Sequence, residues 1–335
     1  MRRIATEEAF TIPEIAQALR EVASGPSAGR DSDRWLIDAI YGASSKSPLL
    51  ARLLDLEDER LREMDAHGVS MHVLSLTAPG VQVFDADTAC GLAELANDRL
   101  ADVVGRHPDR FAGLASFAPH APRRAAEEMG RAVRTLGLHG FIVNSHTNDE
   151  YLDDPKYWPV LEAAQDLDRC LYIHPRGPSA GLAEPLVDYG LAGAVWGYGV
   201  EVGTHALRLI VSGVLDRFPR LRLCIGHMGE AIPFWLWRID NRFRISTVPR
   251  RGRTLELTPS EYFKRNFVIT TSGQENPLAL DYSMKTLGAD SICWAIDHPY
   301  QPTGPAVAFM DEAPVSDDDR AKLYHRNAER IFHIG

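Results

Sequence analysis

The stretch LYIH at residues 171–174 is a short apolar run that ends in an imidazole, His174. Three further apolar runs are each followed by an ionisable residue: Glu7, His227 and Asp297. In an eight-stranded α/β barrel, the reactive groups lie at the carboxyl ends of the strands. Two carboxylates and two imidazoles brought to one end of a barrel therefore predict an enzyme with a mixed oxygen and nitrogen metal site.

The rest of the chain has the pattern that such a barrel requires. Short apolar runs alternate with stretches whose apolar residues recur at three- and four-residue spacing, which is typical of buried parallel strands joined by helical crossovers. We predict an α/β fold, a (β/α)8 TIM barrel, as a single domain over residues 1–335. The predicted strands are residues 3–6, 71–76, 111–117, 140–144, 170–174, 221–225, 267–271 and 291–296.

Two segments are longer than a simple barrel connection. Residues 13–55, after strand one, are predicted to form an insertion near the active site or at an oligomer contact. Residues 241–261, after strand six, are rich in arginine. We favour a solvated surface for this second excursion; the alternative is a source of cations for a carboxylate substrate or a neighbouring subunit.

Composition excludes several classes of protein. The formal net charge of −10 argues against nucleic acid and membrane surfaces as partners, because both favour a basic face. No apolar stretch reaches the length of a membrane span, and no long apolar segment follows the basic residues at positions 2 and 3. The four cysteines are far apart, as expected of buried thiols in a reducing compartment. We expect a cytoplasmic protein.

The polar groups at the strand ends suggest a specific ligand set. Any one of them could be a satisfied core residue or a helix cap, but four buried charges in one cup would be costly without a counter-ion. We predict that Glu7, His174 and Asp297 bind one divalent metal. Two carboxylates and one imidazole favour Mn²⁺ or Mg²⁺, and Zn²⁺ stays possible. His227 would act on substrate or bound water, with Glu230 setting its tautomer.

Several motifs resemble the nonoxidative decarboxylase branch of the amidohydrolase superfamily, and in particular the 5-carboxyvanillate decarboxylases. The resemblance extends over nearly the whole chain. It is carried by TEEAF at 6–10, LTAPGVQ at 76–82, VNSHT at 143–147, YLDDPK at 151–156, IHP at 173–175, GHMGE at 226–230, DHPY at 297–300 and NAERIF at 327–332.

This resemblance implies a metal-dependent decarboxylase of an ortho-hydroxy aromatic carboxylate, with no organic cofactor. Many superfamily members have a histidine two residues after their first ligand, but this chain has Ala9 there, which favours a single metal. The implied reaction protonates the ipso carbon and then releases CO₂, so that no aryl anion forms. Asp297 is the candidate proton donor, and His227, held by Glu230, would stabilise the phenolic oxygen.

Recognition of the ring and its substituents is assigned to further residues. Aromatic side chains would form walls, and a polar patch would bind a carboxylate. The candidate substrate-binding residues are Tyr41, Lys46, Trp196, Arg238, Arg251 and Tyr300.

Two other functions compete with this interpretation. One is a metal-dependent hydrolase on the same barrel, such as a lactonase or ring-opening hydrolase, in which Asp297 would be the general base. The other is a non-enzymatic barrel that binds a phenolic acid or serves as an assembly subunit. The resemblance also implies a homodimer or homotetramer whose only other partner is a small aromatic carboxylate.

Overall fold

The computed structural model describes residues 1–25, 32–246 and 254–335. Within them, eight parallel strands follow one another in chain order, each hydrogen-bonded to the next. The strands are β1 Ile4–Phe10, β2 Met71–Leu76, β3 Phe111–Ser116, β4 Gly140–Asn144, β5 Leu171–His174, β6 Leu223–Ile225, β7 Phe267–Thr270 and β8 Ile292–Cys293. The predicted TIM barrel is confirmed.

Helices occupy the connections between the strands. In chain order they are α1 Pro13–Ser24, α2 Arg34–Tyr41, α3 Leu49–Leu54, α4 Asp58–Ala66, α5 Ala86–Arg106, α6 Pro122–Arg134, α7 Trp158–Asp166, α8 Ala180–Val187, α9 Gly197–Val211, α10 Val214–Arg217, α11 His227–Glu230, α12 Ile232–Ile245, α13 Pro259–Asn266, α14 Pro277–Leu287, α15 Thr303–Glu312, α16 Asp317–Ala321 and α17 Asn327–Phe332. Of these, α11 is a tight turn, because Met228 and Gly229 have left-handed backbones.

The first and last strands differ most from the prediction. β1 continues to Phe10, so Glu7 lies inside the strand rather than after it. β8 ends at Cys293, so Asp297 lies in the loop beyond it. Backbone bonds still close the barrel between them: Thr6 donates its N–H to the carbonyl of Trp294 at 3.2 Å, and Ala9 donates to His298 at 2.7 Å.

Side chains fill the barrel and exclude water from its floor. Alternate strand residues, such as Val73, Leu114 and Ile142, form an inner cluster with the C-terminal helix α17, which contributes Ile331 and Phe332. A larger cluster packs the outer faces of the strands against the helices. All four cysteines are buried and free, as predicted. In the described part of the chain, no helix is long and apolar enough to cross a membrane.

The two predicted excursions are partly helical. The 13–55 segment contains α1, α2 and α3. Its Asp33 is buried against Arg176, beyond the carboxyl end of β5, so this insertion contacts the carboxyl end of the barrel. The second excursion is shorter than predicted, because α12 continues to Ile245 and α13 begins at Pro259. Part of the remaining connection, including Arg251, lies outside the described residues.

Candidate active site

A bulge in β1 directs Glu7 into the barrel. Ala5 pairs with His72, but Glu8 pairs with Leu74, so three steps along β1 match two along β2. Since strand side chains alternate between faces, the extra residue reverses the alternation from this point. Ile4 already belongs to the inner cluster, and the bulge is what turns Glu7 inward as well.

One carboxylate oxygen of Glu7 is fully satisfied by neighbouring strands. Its Oε2 accepts hydrogen bonds from the hydroxyls of Tyr172, Thr270 (2.7 Å) and Ser272. Gly226 also packs closely against the Glu7 carboxylate, since a Cβ added at this glycine would lie 2.7 Å from Oε2. These contacts fix the orientation of the carboxylate, because all of them come from rigid strands or strand ends.

The other oxygen of Glu7 has no partner. Oε1 is buried and accepts no hydrogen bond, which is costly for an ionised group. It lies 3.6 Å from Nε2 of His174 and 3.8 Å from Nε2 of His227. One ligand atom from each of Glu7, His174 and Asp297 lies within 4.8 Å of the other two. The orphaned oxygen and this donor set fit a divalent metal ion.

His174 presents the correct nitrogen to that position. Its Nδ1 lies 3.0 Å from Oδ1 of Asn144 and 2.8 Å from the carbonyl of Pro175. Two acceptors around Nδ1 favour the tautomer in which Nδ1 carries the proton and Nε2 keeps its lone pair. Burial lowers the pKa of His174 to about 4, so the ring is neutral, as a ligand must be.

Asp297 completes the donor set from the loop after β8. Its backbone is left-handed, with φ 75°. Burial raises the pKa of this carboxyl to about 6; the negative charge of Glu7 adds to the rise, and His227 opposes it. Oδ2 of Asp297 lies 3.9 Å from Nε2 of His227.

His227 is held by the turn that carries it. Its Nδ1 lies 2.9 Å from Oε1 of Glu230. Residues 227–231 all have positive φ, a costly backbone that is typical of functional sites. Burial lowers the pKa of His227, but Glu230 and Glu7 outweigh burial and raise it well above its usual value. The imidazolium form is therefore favoured beside the two carboxylates.

A cavity of about 330 Å³ opens over these groups. Asp297, His227 and Glu230 reach it, and aromatic side chains form part of its wall. No lysine or arginine of the described segments lines it. Its lining is Ala194, Val195, Trp196, Tyr198, Gly199, Val200, His227, Glu230, Ala231, Trp235, Gly273, Gln274, Asp297 and Gln301.

The predicted substrate-binding residues differ in how close they lie to this cavity. Trp196 lines the cavity. Tyr300 lies beside it, with its hydroxyl 2.6 Å from Oγ1 of Thr77. Burial raises the pKa of this phenol, and the nearby Tyr41 and Asp297 add to the rise. Lys46 is exposed.

Arg238 and Arg251 do not join the described site. Arg238 lies in a neighbouring groove between α9 and α12, and is absent from the cavity that holds Asp297. Its side chain is exposed to solvent. Arg251 lies outside the described residues.

Sequence reasoning missed the residues that orient the proposed ligands. Tyr172, Thr270 and Ser272 bind Glu7, and Asn144 binds His174. Their hydroxyl and amide groups carry little signal alone, since the same residues occur in any strand. The position of Asn144, at the end of the strand next to that of His174, is the one clue the sequence offered.

Comparison with known proteins agrees with this geometry. A family model described as amidohydrolase matches residues 49–334. The chain belongs to the amidohydrolase family. The γ-resorcylate decarboxylase of Polaromonas sp. is 38% identical to this amidohydrolase over 295 residues, which cover 85% of this chain and 90% of that protein.

Solved structures extend the likeness to the whole fold. The crystal structure of 5-carboxyvanillate decarboxylase from Sphingomonas paucimobilis matches with a TM-score of 0.97 and 50% identity, covering 100% of this chain and 99% of that one. The 5-carboxyvanillate decarboxylase of Novosphingobium aromaticivorans, complexed with manganese and 4-hydroxy-3-methoxy-5-nitrobenzoic acid, matches with a TM-score of 0.94 and 38% identity, covering 99% and 96%. The family resemblance stated from the motifs is confirmed.

Proposed function

We propose that the protein is a metal-dependent, nonoxidative decarboxylase of an ortho-hydroxy aromatic carboxylate, with 5-carboxyvanillate as the first substrate to test. The observation that carries the proposal is the buried, unpartnered Oε1 of Glu7 facing His174 and Asp297. The decarboxylase activities named for the relatives support the reaction class. The proposal treats residues 1–335 as one barrel domain.

The metal would be held by Glu7, His174 and Asp297, one ion per chain. Manganese is the first candidate, because the Novosphingobium relative holds it and because two carboxylates and one imidazole are suited to it. Magnesium and zinc are the alternatives. When bound, the ion would supply Lewis-acid stabilisation of negative charge on the substrate and would orient its carboxylate and ortho oxygen. No organic cofactor is required.

Asp297 is the proposed proton donor. Of the three ligand residues, only Asp297 also lines the cavity where an aromatic ring would lie. Its proton would form the new C–H bond at the ipso carbon. The C–C bond to the carboxylate then breaks, CO₂ leaves, and the electron pair of that bond restores the aromatic ring. This order avoids an unstabilised aryl anion.

His227 and the cavity wall would position the ring. A cationic His227, supported by Glu230, would stabilise the negative charge on the phenolic oxygen. Trp196 and Trp235 would contact the ring faces. Tyr300 and Tyr41 are proposed to border the site. Lys46, Arg238 and Arg251 are retained only as candidates for binding a distal carboxylate, since the described cavity lining contains no lysine or arginine.

The proposed location and oligomeric state are those expected from the sequence. Four free, buried thiols are compatible with a cytoplasmic enzyme. We propose a homodimer or homotetramer, with the 13–55 insertion near the catalytic end of the barrel. A small aromatic acid is the proposed ligand; nucleic acid and membranes are not.

Turnover and metal content test the proposal together. Purified protein would be stripped with a chelator, reloaded with Mn²⁺, Mg²⁺ or Zn²⁺, and assayed for CO₂ release from 5-carboxyvanillate, γ-resorcylate and 2,3-dihydroxybenzoate. We expect about one ion per chain and CO₂ release that chelation abolishes. Metal binding with turnover of lactones but no CO₂ release would favour the hydrolase instead, and the absence of bound metal would overturn both.

A further inference from the structure

A single carboxylate, that of Glu8, binds the backbone on both sides of Asp297. Oε1 of Glu8 accepts the N–H of Ile296 at 3.0 Å, and Oε2 accepts the N–H of His298 at 2.9 Å. The residue between these two amides is Asp297, whose backbone is left-handed. The two bonds thus lie on either side of Asp297, the strained residue in the loop after β8.

Glu8 is completely buried behind β1, on the side opposite Glu7. Because adjacent strand residues face opposite ways, the same dipeptide supplies a metal ligand to the barrel interior and a clamp to the loop after β8. The β1 backbone adds a third attachment, since Ala9 donates to the carbonyl of His298 at 2.7 Å. The relative position of Glu7 and Asp297 therefore depends on one short piece of strand.

A buried cation supports the Glu8 carboxylate. Arg60 is 1% exposed and contributes a favourable electrostatic interaction with Glu8. It is fixed in turn by a hydrogen bond of 2.7 Å to the carbonyl of Ala9 and one of 3.0 Å to that of Asp55. Two amide donors and a guanidinium are the surroundings that a buried carboxylate needs to keep one orientation.

We propose that Glu8 is a positioning residue for Asp297. It touches neither substrate nor metal. By holding the two amides around Asp297 it keeps that carboxylate within ligand distance of Glu7 and His174, in a backbone conformation that a non-glycine residue does not adopt freely. This inference rests on the metal site of the proposed function and adds to it the residue that assembles its third ligand.

The test compares Glu8→Gln with a matched control, Glu63→Gln. The glutamine keeps the shape of Glu8 but offers one acceptor instead of two and turns an N–H₂ group towards a backbone N–H. Glu63, like Glu8, interacts electrostatically with Arg60, and it binds Thr303 at 2.6 Å and Arg52 at 3.0 Å. Its Oε1 lies 3.8 Å from Nδ1 of the His298 side chain, but it accepts no bond from the amides of Ile296 or His298, so Glu63→Gln removes a nearby charge and leaves both clamp bonds in place.

Mn²⁺ affinity and amide exchange are the readouts. For Glu8→Gln we expect Mn²⁺ binding in calorimetry at least about tenfold weaker and faster hydrogen exchange over residues 294–301, measured without metal. Glu63→Gln should change neither by more than about twofold. Unchanged affinity and exchange in folded Glu8→Gln, or equal losses in both variants, would overturn the positioning role.

Amide exchange in the wild-type protein tests this inference separately from the proposed function. It also provides a test if Glu8→Gln fails to fold. Metal-free wild type should already protect the amides of residues 294–301 from exchange, since the clamp needs no metal. Rapid exchange there would overturn the positioning role even if Mn²⁺ binds. Slow exchange together with no Mn²⁺ binding would remove the metal site of the proposed function, and with it the role of Glu8 in assembling that site.

Discussion

Asp33 in the insertion and Arg176 in the loop after β5 form a buried ion pair just two residues from His174. Oδ2 of Asp33 accepts from Nε of Arg176 at 2.9 Å, and Oδ1 accepts the N–H of Gly177 at 2.8 Å. Both side chains are almost fully buried. The insertion thus fixes the loop that follows a proposed metal ligand, which gives the 13–55 segment a physical connection to the site.

Asp33→Asn should disrupt this connection. Removing one charge from a buried pair leaves the other uncompensated, so we expect a loss of about 3–5 kcal/mol in the free energy of unfolding. We also expect weaker Mn²⁺ binding, because the His174 loop loses its anchor. Chemical denaturation and metal titration would measure the two effects. Asp38→Asn, which breaks the exposed Arg34–Asp38 pair in α2, should cost less than about 1 kcal/mol; similar losses in both variants would contradict the connection.

Asp297→Asn should separate binding from chemistry. The amide keeps the size of the side chain but has no acidic proton, so we expect kcat to fall by a factor of about 10²–10⁴. Binding of 4-hydroxy-3-methoxy-5-nitrobenzoic acid, measured by titration in the presence of Mn²⁺, should persist. Glu275→Gln is the control, since it removes a nearby negative charge and leaves the donor. A fully active Asp297→Asn protein would exclude Asp297 as the acid.

His174→Ala and Asn144→Leu should weaken the metal site to different extents. The first removes a proposed ligand, so metal content after dialysis should drop to background. The second leaves the ligand but removes the 3.0 Å contact at Nδ1, and we expect Mn²⁺ affinity to fall about 10–100-fold. Elemental analysis and Mn²⁺ titration would measure both. Wild-type occupancy in His174→Ala would exclude it as a ligand, and His333→Gln, far from the site at the C-terminal end, serves as control.

The fold was more predictable than the exact placement of the site. Apolar runs located all eight strands, and 71–76 and 140–144 were correct to the residue, because strands buried on both faces need continuous apolar sequence. Glu7 was predicted after its strand and lies within it. No local pattern announces the bulge that turns it inward, since a bulge is defined by pairing with another strand.

The residues that support the site were harder to predict from the sequence than the proposed metal ligands. The sequence did not single out Glu8, which follows Glu7 directly. Its proposed role depends on hydrogen bonds from the amides of Ile296 and His298, which are nearly 300 positions away. Arg238 was a reasonable source of positive charge, but helix α12 places it in another groove. Periodicity shows which residues are buried; it does not show which distant backbone group a buried carboxylate will meet.

Acid should destabilise the metal-free protein through histidines that are buried neutral. Burial lowers the pKa of His205 to about 3; its Nδ1 lies 3.2 Å from Oγ of Ser145, and its Nε2 accepts the N–H of Leu152 at 3.2 Å. In the unfolded chain a histidine takes up its proton near pH 6.5. Below that pH only the unfolded state binds this proton, so the free energy of unfolding should fall by about 1.4 kcal/mol per pH unit for this residue, down to about pH 3.

Denaturant unfolding between pH 4.5 and 7, with chelator present, measures that slope. His205→Gln cannot titrate, so its stability should depend less steeply on pH, by about one proton, even if its absolute stability is lower. His139→Gln should act in the same way over a narrower range, because burial lowers the pKa of His139 only to about 4. If His205→Gln keeps the wild-type slope, His205 is already protonated in the folded protein and the acid sensitivity comes from other groups.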